Sequence, residues 1–166
     1  VLLLAVLLAV SIYAERYLEH DYRREALEKL EAIARVAQSR PPNWPAPQGS
    51  RAELDAWTRA MAASGARVTL ISPSGVVLAD SSEDPAKMEN HAGRPEVQQA
   101  LASGSGHAVR HSVTLGRDLV YWAVRQPVGG GEVLILRFAL LLKDVDQPIG
   151  TFRRHLLQAS LLILVL

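Results

Sequence analysis

The chain has 166 residues, 18 basic and 17 acidic, so its formal net charge is only +1. A balance this even gives no electrostatic footprint for nucleic acid, which would show as a basic stripe or a high pI confined to one domain. There is no cysteine, which excludes disulfides, thiolate nucleophiles and thiolate metal sites.

In chain order, the first element is an uncharged run, VLLLAVLLAV, extended by Ser11 to Ala14. A bilayer-crossing helix needs roughly 20 mostly apolar residues, so residues 1–14 read as a truncated first membrane span. The apolar core of a signal peptide is the alternative. Residues 15–40 are rich in Glu, Arg, Lys, Ala and Leu and contain no Gly or Pro, which predicts a long helix leaving the membrane. Leu27, Leu30, Ala34 and Ala37 fall on one seam of it, open to use as a dimer interface or as a face packed on a core. Pro41, Pro42, Pro45 and Pro47 end the helix.

Residues 41–142 are read as one single-core domain. A second helix spans about Arg51 to Ala63, with Ser50 and Glu53 as its capping box and Gly65 as its stop. Arg67–Ser72 and Val76–Asp80 flank Pro73-Ser74-Gly75 and predict a hairpin. A polar loop from Ser81 to Gly93 holds a short helical turn near Pro85, and Pro95 opens a helix that ends at Gly104. Three strands follow, His107–Leu115, Leu119–Pro127 and Glu132–Leu142, separated by turns at Gly116-Arg117-Asp118 and Gly129-Gly130-Gly131. Residues 143–155 read as a connecting helix. Residues 156–166 (LLQASLLILVL) read as a second truncated span. The expected fold class is α+β: a five-stranded antiparallel sheet in the order 2-1-5-4-3, as in PAS-like domains, with the long N-terminal helix and the second helix on one face.

Three stretches, VTLISPSGVVLADSS, DPAKMENHAGRPEVQQAL and RFALLL, resemble the extracytoplasmic single-Cache, PAS-like sensor domain of bacterial histidine kinases, and most of all the phosphate-regulon type. The resemblance covers Arg67 to Val145, and its most specific part is Met88-Glu89-Asn90-His91 followed by Arg94-Pro95-Glu96. Leu141 departs from it, standing where that family commonly has proline. The resemblance implies a homodimer in the cytoplasmic membrane, joined through its membrane-proximal helices and in contact with lipid. It also implies a kinase core beyond the second span that would use ATP and Mg and phosphorylate a cytoplasmic response regulator. None of that kinase chemistry lies in these residues, so no catalytic residue and no cofactor is assigned to them.

The residues themselves offer few reactive constellations. His107 and His111 are four apart on a strand, about 13 Å at roughly 3.3 Å per residue, too far to share an ion. Gly104-Ser105-Gly106 lacks the spacing and the strand-to-helix context of a nucleophile elbow. Asp80, Glu83, Asp84 and Glu89 form an acidic cluster that reads as a solvated loop, and no metal site is assigned. Arg94 precedes a helix start, where backbone N–H groups already favour an anion, and its guanidinium could grip a carboxylate or phosphate. The alternative is a salt bridge to Asp80 or Glu89. Tyr121 and Trp122 point to opposite sheet faces, and Arg137, alone in an apolar strand, needs a partner at the sheet edge or in a cavity. Arg94, His91, Tyr121 and Asp80 are the candidate ligand-binding residues, for a small anion. The sensing module of a chemoreceptor or cyclic-dinucleotide enzyme, and a ligand-free module that dimerises or docks an extracytoplasmic protein, are the other readings. An enzyme anchored by its ends would need a convergent nucleophile and base, which the sequence does not display.

Overall fold

Helix α1 runs over Leu2–Ser39 and stops just before Pro41 and Pro42. It belongs to a computed structural model that describes residues 2–43, 51–112 and 117–142. The chain divides into two compact units, Val1–Glu25 with Lys143–Leu166, and Ala26–Leu142. In the first unit, Tyr13 and Tyr17 stack one turn apart with ring centroids separated by 6.3 Å. Arg24 pairs with Asp21 at 2.8 Å. Among the described residues no helix is long and apolar enough to cross a membrane. The expected connecting helix and second span, and Ser50 as a helix cap, lie outside the described residues.

The second unit is built on a five-stranded sheet. After α2 (Arg51–Ala62) come β1 (Arg67–Ile71), β2 (Val77–Asp80), a 3₁₀ turn (Pro85–Lys87) and α3 (Pro95–Ser103). Then follow β3 (Ser105–Ser112), β4 (Arg117–Pro127), a second 3₁₀ turn (Gly129–Gly131) and β5 (Val133–Leu141). The strand order is β2-β1-β5-β4-β3 and every pairing is antiparallel. This is the order the sequence predicts. Strand alternation sends Leu134, Leu136 and Phe138 of β5 to one face and Ile135 and Arg137 to the other.

On the first face these residues join Val68 and Leu70 of β1, Val120 and Val124 of β4, and Leu30, Ala34 and Ala37 of α1 in one core. Leu54 of α2 completes it, and Trp57 packs beside it while donating from Nε1 to the carbonyl of Arg40 at 2.8 Å. The α1 seam is therefore a core face. Fully buried side chains such as Phe138 and Leu136 each contribute roughly 1.5–3 kcal/mol.

The opposite face carries α3, not open solvent. Val97 and Ala100 of α3 pack on Ile71, Ala123 and Ile135. Two strands start two residues earlier than the sequence reading places them. Strand β3 begins at Ser105, because Gly106 lets α3 lie against it: a Cβ there would meet Gln99 Cβ and the carbonyl oxygen of Glu96. Arg117 and Asp118 belong to β4 instead of a turn, opposite Ser112 and His111. His111 Nδ1 lies 2.9 Å from Asp118 Oδ1 across the ladder.

Candidate functional site

Among the described residues, the buried charged side chains Asp80, Glu96 and Arg137 lie on the face covered by α3. Arg137 stands in the middle of β5, which is the central strand, with Thr69 and Ala123 as its ladder neighbours. It is 5% exposed, so neither a sheet edge nor solvent receives its charge. One guanidinium nitrogen lies 3.5 Å from Glu96 Oε1 and the other donates to Thr69 Oγ1 at 3.2 Å. Burial pushes Arg137 down to about 10, a shift opposed by the Glu96 carboxylate, and it stays cationic at neutral pH.

Glu96, in the first turn of α3, is fully buried. Arg110 of β3 donates to the same Oε1 at 2.9 Å. Both guanidiniums also lean on the ring of Tyr121, Arg110 at 4.3 Å and Arg137 at 5.2 Å from its centroid, a geometry that favours cations over an aromatic face. The ring has room because its cross-strand neighbours are Ala108 and Ala139.

The network continues across the sheet. Thr69 Oγ1 donates to Asp80 Oδ2 at 2.7 Å, and Arg67 Nε reaches both Asp80 oxygens at 3.1 and 3.2 Å. Asp80 Oδ1 also accepts the backbone N–H groups of Ser82 and Glu83 at 2.9 and 3.0 Å. Asp80 thus ties β2 to the loop that follows it, and its oxygens are engaged by protein donors. The acidic cluster does not converge: Asp84 caps the 3₁₀ turn at Ala86 N and pairs with Arg51 at 2.6 Å, while Glu89 faces Arg94. The turn N–H and Arg51 lower the pKa of Asp84.

The Met88–Arg94 segment is a clasp on the β1–β2 turn. His91 N donates to the Gly75 carbonyl at 2.8 Å and Asn90 Nδ2 to the Ser74 carbonyl at 2.9 Å. Asn90 Oδ1 in turn accepts from Ala92 N at 2.8 Å. The clasp buries His91, which is 5% exposed. Burial first, then the positive charges of Arg137, Arg94 and Arg110, push its pKa down to about 3, against the pull of Asp80. His91 is neutral at pH 7. Arg94 caps α3 without a side-chain bond to it and lies 3.5 Å from Glu89. Of the two partners the sequence offered Arg94, the structure selects Glu89.

Tyr121 and Asp80 are therefore members of one polar network, His91 lies in the field of its arginines, and Arg94 stands beside it at the start of α3. Trp122, on the other face, stacks on His107 with centroids 5.9 Å apart. Sequence reasoning did not select Glu96 and Arg110. A glutamate in a helix first turn is ordinary, and an arginine in an alternating strand reads as solvent-facing. The sequence signals were Arg137, a lone charge in an apolar strand, and the place of Glu96 in the Arg94-Pro95-Glu96 motif.

No family model matches the sequence, and no curated protein matches it. Solved structures do. The Escherichia coli DcuS sensor domain superposes with a TM-score of 0.55 at 12% identity, covering 78% of this chain and 98% of that one. The ligand-binding domain of the Campylobacter jejuni chemoreceptor Tlp3, in complex with 4-methylisoleucine, gives 0.52 at 16% identity over 74% of this chain. The same Tlp3 domain in complex with L-valine gives 0.50 at 15% identity over 85% of this chain. The chain matches about half of the length of the first Tlp3 structure, 52%, and 65% of the second. At these identities the likeness is one of fold. The fold is that of PAS-like bacterial sensor domains.

Proposed function

We propose that the chain is the extracytoplasmic sensing domain of a bacterial two-component histidine kinase of the phosphate-regulon type. In this reading residues 1–14 and 156–166 belong to two spans of the cytoplasmic membrane. The protein acts as a homodimer, and a kinase core following residue 166 phosphorylates a response regulator. The observation that carries the reading is a buried network of charged residues, running from Glu96 through Arg137 and Thr69 to Asp80, on a sheet face covered by α3. A domain serving only as a spacer has no use for charges that are expensive to desolvate. A small anion bound near Tyr121, His91, Arg94 and Asp80 would bias the output by its differential affinity for two states of the domain.

The test is a thermal-shift panel of small anions, carboxylates and divalent cations on the 166-residue chain in mild detergent. At least one anion should raise the midpoint in a concentration-dependent way. The rise should be lost in Arg94→Ala with the circular dichroism spectrum retained. Silence across the panel would instead support docking of an extracytoplasmic protein. A chemoreceptor is the second reading, favoured by the likeness in fold to Tlp3. A methyl-accepting helical domain after residue 166, in place of a phosphoacceptor helix and an ATP-binding domain, would establish it.

A further inference from the structure

Five of the nine large apolar side chains that stand exposed among the described residues fall in one short stretch of α1: Val6, Val10, Ile12, Tyr13 and Tyr17. Val6, Val10, Tyr13 and Tyr17 follow one another at spacings of four, three and four, so they form a single stripe along the helix. His20 continues that stripe and Arg16 flanks it, both exposed. In the second unit the exposed apolar residues Val36, Val76 and Leu141 are scattered singly, which is ordinary for a protein surface. A contiguous apolar stripe is not, and marks a contact with a partner or a membrane.

The chemistry changes along the stripe in a definite order. Val6 and Val10 are aliphatic, Tyr13 and Tyr17 join an apolar ring to a hydroxyl, and Arg16 and His20 are polar. That is the order of layers from the hydrocarbon of a bilayer to its phosphates. Tyrosine collects at this boundary, and an arginine beside it can extend its charged head outwards. The lengths agree as well. One headgroup layer is about 5–7 Å thick, half the difference between the whole bilayer and its hydrocarbon core. Tyr13 and Tyr17 are about 6 Å apart along the axis at 1.5 Å per residue, and their rings stack. A second helix is the weaker candidate for the cover. Ile12, about 120° around the helix from Val6 at 3.6 residues per turn, is exposed too. Lipid covers both sides of a helix at once, whereas one partner helix covers a single stripe.

We propose that Tyr13 and Tyr17 hold α1 at the surface of a phospholipid bilayer, with their rings in the headgroup layer, Val6 and Val10 in the hydrocarbon and Arg16 against the phosphates. The inference rests on the reading of residues 1–14 as part of a span. It goes beyond that reading by fixing where α1 leaves the lipid, at Tyr17 and past the first charged residues, Glu15 and Arg16. Side chains at the boundary, more than the count of apolar residues, set how a span sits in its membrane.

The chain has no cysteine, so single cysteines can be introduced one at a time and spin-labelled. Val6→Cys, Val10→Cys, Tyr13→Cys, Tyr17→Cys and His20→Cys, all at exposed positions, are made in the 166-residue chain. Each labelled protein is reconstituted in vesicles of phosphatidylcholine and phosphatidylglycerol, with its circular dichroism spectrum checked against the parent. Collision of the label with oxygen, which concentrates in hydrocarbon, is compared with collision with a water-soluble nickel chelate. Oxygen should dominate at positions 6 and 10 and the chelate at position 20, with the crossover between 13 and 17. Adding Tyr13→Ala and Tyr17→Ala to Val10→Cys should change the depth reported at position 10, and an unchanged depth overturns the anchoring role of the rings. A crossover before residue 13 or after residue 17 overturns the proposal and leaves the span standing. Exclusion of both reagents from positions 6 to 17 means that protein covers the stripe, and overturns the lipid assignment alone. Chelate access at every position overturns the proposal and the span together.

Discussion

Arg137 is held by three contacts of different kinds: a carboxylate, a threonine hydroxyl and an aromatic face. Removing its charge leaves Glu96, fully buried, to Arg110 alone. Truncating one member of a buried ion pair typically costs 3–5 kcal/mol, because the survivor stays desolvated. Arg137→Met leaves Glu96 its 2.9 Å bond from Arg110, so the loss in urea unfolding should fall below that range, at about 1–3 kcal/mol, and no loss would mean that the Arg137 contacts add nothing to stability. His91 makes a prediction in pH. Its folded pKa is about 3 against an ordinary 6.5. Above pH 6.5 it is neutral in both states and carries no penalty. As pH falls from 6.5 towards 3 the unfolded chain takes up a proton that the folded chain refuses, so stability declines through that window. His91→Gln removes this contribution. The difference in stability between the two proteins, followed from pH 7 to pH 4, should shift steadily in favour of the variant. Parallel curves would show that His91 titrates alike in both states.

Among the elements, the clasp between the Met88–Arg94 segment and the β1–β2 turn governs how the sheet face is closed. Gly75 has a φ of +86°, and a Cβ there would collide with Ala92 N and Asn90 Oδ1. Gly104, at φ +95°, ends α3 with open space around it. Gly104→Ala should cost about 1 kcal/mol for backbone strain alone. Gly75→Ala should cost more, and it should also speed hydrogen exchange at the His91 and Ala92 amides. Equal costs would mean that the clasp yields freely. Much of this level was legible in the sequence, since proline, glycine and strand alternation act over a few residues. The hairpin, the turn near Pro85 and the α3 boundaries all follow from such local marks. The site was legible only in part. Tyr121 stood out by facing opposite to Trp122, and His91 and Arg94 by their motif. Glu96 and Arg110 acquire meaning only when α3 is laid on β3 and β4, a tertiary event that Gly106 permits without announcing it. Arg137 was recognisable as needing a partner. Its place at the sheet centre instead of the edge depends on β5 being inserted between β1 and β4, which no local pattern encodes.

At the scale of the whole molecule, the sheet divides two kinds of interior. One face is an apolar core shared with α1 and α2, and the other holds ionised groups beneath α3. Only the first is what stability requires. Burying Glu96 and Arg137 takes two charges out of water, and their mutual attraction does not reliably offset that desolvation. Replacing both with an apolar residue of similar length tests whether the cluster serves the fold. In Glu96→Met/Arg137→Met the one cation left in the cluster, Arg110, is 25% exposed and keeps the Tyr121 ring at 4.3 Å. The double variant should match the wild type or exceed it by about 1–4 kcal/mol, although Arg137→Met alone destabilises. Its thermal midpoint should no longer respond to any anion that shifts the parent. A double variant as unstable as the single one would make the cluster a structural necessity. A stable double variant that has lost its response would show that the protein gives up stability to keep a charged interior, as expected where sensing and not folding sets the requirement.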